Sequence, residues 1–182
     1  MIRNVKRTVI ALAMALICIA ASAQEASNPK PVKFAWGADF VGAIDLSGND
    51  MSTIGLDAFF GIKMPAVSIL GVGAGINISV ATPYRQLPLF MIFRTSFSKR
   101  PQLCFLDLRG GVSVFDIRNG RNQTGAYVSA GLGINLAASR KFRSSLSLSY
   151  TYFGRKDYID NAGQEVKAPD LHGATVRLGI SF

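Results

Sequence analysis

The sequence predicts an all-β protein: an eight-stranded antiparallel up-and-down transmembrane β-barrel that follows a cleaved signal peptide. Three observations carry this. Eight runs alternate between apolar residues and small or polar ones. Mean hydropathy is positive, at +0.27. Yet nothing after residue 23 offers the roughly 18 uninterrupted apolar residues of a membrane-spanning helix. A chain of this kind that enters a membrane has to close its strands on one another, because lipid leaves no partner for an open sheet edge.

The opening MIRNVKRTVIALAMALICIAASAQ places Arg3, Lys6 and Arg7 before an apolar run from Val9 to Ala20 and the small residues Ala21, Ser22 and Ala23. This is the pattern of a secretory signal peptide over residues 1–23, cleaved after Ala23. The apolar run is too short for a transmembrane helix, which needs about 20 residues. Ile17 stands before Cys18, where lipidation wants a small side chain, so Cys18 leaves with the leader. Cys104 is then the only mature cysteine, and no internal disulfide forms. The full chain has a net charge of +9; the mature one keeps seventeen basic and eleven acidic residues, a net charge of +6. The basic residues are scattered and the chain is exported, so no nucleic-acid partner is expected. Residues 24–32 form a polar lead-in, and one domain, the barrel, occupies 33–182.

Each run assigns its side chains to two faces, because successive strand residues point to opposite sides. The first sets Phe34, Trp36, Ala38, Phe40 and Ile44 against Gly37, Asp39, Val41 and Asp45. The second sets Ile54, Leu56, Ala58, Phe60, Ile62 and Met64 against Thr53, Gly55, Asp57 and Lys63, and the third sets Leu70, Val72, Ala74, Ile76, Ile78 and Val80 against Gly71, Gly73, Gly75, Asn77 and Ser79. The fourth, LPLFMIFRTSF, is apolar on both faces. Its register follows from Arg94, which would cost about 2–4 kcal/mol on a lipid-facing surface near the midplane; Leu87, Leu89, Met91, Phe93, Thr95 and Phe97 therefore face outward. The fifth sets Leu106, Leu108, Val112 and Val114 against Asp107, Arg109 and Ser113. The sixth sets Val128, Ala130, Leu132, Ile134 and Leu136 against Tyr127, Ser129, Gly131, Gly133 and Asn135. The seventh sets Phe142, Leu146, Leu148, Tyr150 and Tyr152 against Arg143, Ser145, Ser147, Ser149 and Thr151. The eighth, VRLGISF, alternates cleanly to Phe182.

The links predict short turns around Pro65, Lys99 and Ser139, and longer loops at 47–51, 81–84, 116–124 and 154–172. Alternation alone does not say which face is inside, since a soluble ligand carrier has the apolar side inward. The polar face decides it. A solvated surface carries many Lys and Glu residues, whereas this face is mostly Gly, Ser, Thr and Asn with isolated Asp and Arg. That composition suits the crowded interior of an eight-stranded barrel. GVGAG (71–75) is no phosphate loop, because Ile76 stands where the motif needs glycine and no helix follows. GAGINIS (73–79) and GLGINLA (131–137) repeat the same interior demand.

The signal peptide, the eight alternating strands, the long-loop rim and Phe182 together resemble the small eight-stranded outer-membrane barrels of the OmpA/OmpX type, over residues 33–182. The resemblance implies a bacterial outer-membrane location, outer-membrane lipid as surroundings, and Phe182 as a signal read by the barrel-assembly machinery. It implies a non-enzymatic protein, envelope-structural or presenting its loops to a surface partner. Two alternatives compete: a lipid A-modifying rim enzyme and a narrow pore or small-molecule channel.

Buried charges have to be paired. Counted from the short-turn end, Asp39, Asp57, Asp107, Arg94, Arg109 and Arg177 lie four to eight residues into their strands, so a structural ion-pair plug in the lumen is expected. His172, the only histidine, follows the longest loop with Asp170, Asp160 and Asp157 nearby in sequence. It resembles the rim histidine of lipid A-modifying barrels, but no serine is singled out by spacing, and a loop-end histidine is the expectation. DYIDNAGQE misses the calcium-loop spacing, and neither a metal, a cofactor nor catalytic residues are expected.

Overall fold

In the computed structural model the described residues are 32–48, 52–64, 67–81, 84–97, 104–117, 123–139, 142–155, 158–159, 165–166 and 170–182. The expected signal peptide and lead-in residues 24–31 lie outside them. The strands are β1 (Lys33–Asp45), β2 (Thr53–Lys63), β3 (Ile69–Ser79), β4 (Tyr84–Ser96), β5 (Cys104–Ile117), β6 (Gln123–Ala138), β7 (Arg143–Phe153), β8 (Tyr158–Ile159), β9 (Glu165–Val166) and β10 (Leu171–Ser181). Strands β1 to β7 and β10 pair antiparallel, each with its neighbour in sequence, and β10 closes the barrel on β1. Strands β8 and β9 form a separate small hairpin inside the 154–170 link. The barrel strands are 11 to 16 residues long, against the roughly 9–11 that a tilted strand needs to cross a hydrocarbon core.

The two faces follow the alternation residue by residue. Leu87, Leu89 and Met91 are exposed while Phe90, Ile92 and Arg94 are buried, so β4 takes the register that Arg94 demanded. A register one residue off would have turned every side chain of the strand over. Among the described residues, thirty-one large hydrophobic side chains are exposed and only twelve hydrophobic residues are buried. The apolar face is the outside of the barrel.

Two features differ from the sequence reading. The 80–83 link is as short as those on the opposite rim, and β5 and β6 run on through Ile117 and from Gln123, because the ladder continues through the pairs Tyr84 with Ile117, Arg85 with Asp116 and Phe115 with Gln123. The contrast in link length therefore rests on 154–170. The interior also carries more large aromatics than the reading singled out: Phe59, Phe105, Phe115 and Tyr84 are buried beside Tyr127 and Phe90, which the alternation had already turned inward. Glycines admit them. Phe59 lies between Gly37 and Gly73 on the adjoining strands, and Phe90 between Gly73 and Gly111. A Cβ at Gly73 would meet the Phe90 ring at 2.6 Å, well inside van der Waals contact.

Candidate functional site

The lumen at mid-barrel is held by charge. Asp39 and Asp57 are directly paired across β1 and β2, and Arg94 and Asp107 across β4 and β5. Strand alternation turns all four inward, together with Arg109 and Arg177, and each of the six is at most 5% exposed. Gly75 and Gly179 leave the room this takes, since a Cβ on either would collide with the carboxylate of Asp57 or Asp39.

Arg109 is the hub. Its Nε donates to Asp107 Oδ1 at 2.9 Å, its Nη1 to Asp57 Oδ2 at 2.8 Å, and its Nη2 to Asp39. Arg94 donates through Nε and Nη2 to Asp107 Oδ2, at 2.9 and 2.6 Å, and lies 3.7 Å from Asp39. The two guanidiniums also stack on aromatics, Arg94 4.6 Å from the Phe105 ring centre and Arg109 5.1 Å from that of Phe90. Such contacts are worth about 2 kcal/mol each when desolvated. Arg177 is tied differently: its fork reaches Tyr127 Oη at 3.0 Å, Ser129 Oγ at 3.1 Å and Ser149, while Asp57 stands 3.8 Å away as an ion pair without a hydrogen bond. Three carboxylates thus meet three guanidiniums with no net charge. Burying any one of them unpaired would be costly.

The structure brings all six sequence-predicted lumen residues together. The partners Tyr127, Ser129 and Ser149 were visible only as members of interior faces; no spacing singles them out, because the contact depends on the tilt that brings β6, β7 and β10 to one level. Above the charges, Asn77 donates to Gln86 at 3.4 Å, and with Ser113 and Gln123 these residues fill the lumen with amides and hydroxyls. The carboxylates are occupied by guanidiniums, and among the described residues no group of three or more His, Cys, Asp or Glu side chains offers a metal site.

His172 lies in β10 on the outward face. Its ring packs between Tyr150 and Tyr152, with centroids 5.9 and 5.3 Å away, and Nδ1 bonds the Tyr150 hydroxyl. Asp170 accepts from Tyr152 Oη at 2.8 Å and from the Arg155 backbone at 3.1 Å. Ser47 accepts from the backbone N–H of His172 at 2.6 Å rather than meeting its ring. Asp157 and Asp160 lie outside the described residues. At the other end Phe182 exchanges backbone hydrogen bonds with Trp36, stacks on its indole at 4.4 Å, and its carbonyl accepts from Lys63 Nζ at 2.9 Å.

No family model matches the sequence, and no curated protein does. Solved structures do. The chain is similar to Neisserial surface protein A (NspA), with a TM-score of 0.58 at 12% identity over 84% of this chain and 98% of that one. It is also similar to the N-terminal β-barrel domain of Pseudomonas aeruginosa OprF, with a TM-score of 0.52 at 13% identity over 84% of this chain and the whole of that one. The chain therefore has the fold of the small eight-stranded outer-membrane barrels.

Proposed function

We propose that the chain is a non-enzymatic integral protein of the bacterial outer membrane that contributes to envelope integrity or presents the links at 118–122 and 154–170 to a surface partner. The observation that carries this is the inverted distribution of its surfaces. The outside is a continuous belt of apolar side chains, far beyond the few hundred Å² that soluble proteins expose, and the inside is a charge-neutral plug. Tyr150, Tyr152 and His172 at one rim and Trp36 and Phe182 at the other suit the two aromatic girdles of such barrels. Phe182 serves on this reading as the signal recognised by the barrel-assembly machinery as well as an anchor at the rim.

The test is heat-modifiable migration. The mature chain refolded in detergent or vesicles runs faster on a gel before boiling than after it, and full solubility without detergent would defeat the proposal. The plug argues against a pore, so planar-bilayer recordings are expected to show no reproducible conductance. A lipid A-modifying activity would need His172 free to act on a nucleophile. Its ring is engaged by Tyr150, so the lipid A mass profile of overexpressing cells is expected to match that of cells lacking the protein.

A further inference from the structure

The mid-barrel charges cancel, but those at one mouth do not. Lys33, Lys63 and Arg143 occupy interior-face positions at the ends of β1, β2 and β7, on the rim bounded by links 64–68, 97–103 and 139–142. Lys33 is the direct cross-strand partner of Lys63. Arg143 lines the same cleft as Lys63. Like charges set opposite each other on a sheet are destabilising. Lys63 Nζ donates to the main-chain oxygen of Phe182 at 2.9 Å; among the described residues no side-chain carboxylate pairs with any of the three, and the nearest interior acids, Asp39, Asp57 and Asp107, are already bonded to Arg94 and Arg109.

Lys63 and Arg143 line a cleft together with the neutral hydrogen-bonding groups Ser68, Ser96, Asn135 and Ser181 and with Arg94 at its floor, while Lys33 stands beside Lys63 at its edge. Ser68 and Ser96 share one hydrogen bond at 3.2 Å, which leaves one hydroxyl proton of the pair to donate elsewhere. The sequence repeats the bias. The links on this rim add Lys99, Arg100, Arg140 and Lys141 and no acid, whereas those on the opposite rim hold five basic and five acidic residues.

We propose that this mouth is an oxyanion site for a phosphate group. Several positive charges around hydroxyl and amide donors match its acceptor oxygens, with Arg143 supplying a planar fork and the lysines mobile point charges. An anion between Lys33, Lys63 and Arg143 turns their mutual repulsion into attraction. The phosphate can come from the headgroup of an anionic lipid in the adjoining leaflet or be free in solution. The lipid source rests on the membrane reading above; the free source does not.

The test compares the mature protein with a Lys33→Gln, Lys63→Gln, Arg143→Gln variant, and with a charge-preserving Lys63→Arg, Arg143→Lys variant that controls for folding. Quenching of Trp36 by brominated phosphatidylglycerol against brominated phosphatidylcholine reads lipid preference. A basic side chain near an anionic surface is worth about fivefold in association, so the triple variant is expected to lose on the order of a hundredfold in relative preference while the control keeps it. Inorganic phosphate added to the protein in neutral detergent, against chloride at equal ionic strength, reads the free source as a rise in unfolding temperature that the triple variant lacks. Either result supports the site. A protein that folds and inserts with neither preference overturns it. If the chain stays soluble and never inserts, the membrane reading fails, and the phosphate titration on the soluble chain still decides the site.

Discussion

Replacing Arg94 with leucine tests the lumen and the register of β4 together. The substitution removes the two bonds that Asp107 receives from Arg94, at 2.9 and 2.6 Å, and the 3.7 Å approach to Asp39. Three buried carboxylates then face two guanidiniums. Breaking a buried pair from one side costs about 3–5 kcal/mol, and leucine recovers only the packing that the guanidinium made on Phe105 and Phe59. On a lipid-facing surface the same change would stabilise the barrel by about 2–4 kcal/mol, so the alternatives differ in sign. Urea unfolding in phosphatidylcholine vesicles, followed by Trp36 emission, measures the difference. Adding Asp107→Asn restores two acids against two arginines, and the double variant is expected to regain part of the loss, as coupled residues do. A single variant as stable as the parent, or a double variant whose losses simply add, would refute the reasoning.

Gly179→Val drives a side chain into the Asp39 carboxylate and is expected to lower unfolding stability by about 1–3 kcal/mol, measured in the same vesicles. Leu148→Arg puts a charge on the exposed apolar belt, where Leu148 is 62% exposed; in lipid the expected loss is about 2–4 kcal/mol, and in a water-facing position it would be close to nothing. Phe182→Ala removes the ring stacked on Trp36. It is expected to reduce the folded fraction in cell envelopes far more than the stability of the protein refolded in vitro, read by heat-modifiable mobility in both preparations.

The fold was legible because a barrel in lipid writes its pattern twice, once as apolar residues outside and once as small ones inside, and period-2 alternation reads both. Arg94 resolved even β4, where Phe90 and Ile92 made the inner face look like the outer. What alternation could not reveal was which inner residues touch. Arg109 reaches Asp39 and Asp57 across the lumen, from β5 to β1 and β2, a contact set by tilt and closure rather than by spacing. The room for an interior aromatic was illegible for the same reason: Phe59 is accommodated by Gly37 and Gly73 on two other strands, so its place makes sense only once the register is known. Link lengths misled because polar residues such as Arg85, Gln86 and Gln123 continue the ladder beyond the apolar belt.

The central claim is that the apolar face of this barrel meets lipid. Trp36, the only tryptophan, is on that face and 51% exposed. Refolded into vesicles whose lipids carry bromines along their acyl chains, the protein is expected to lose most of its Trp36 emission relative to unbrominated vesicles. Emission unaffected by the brominated lipids, from a folded chain that stays in solution without detergent, would contradict it.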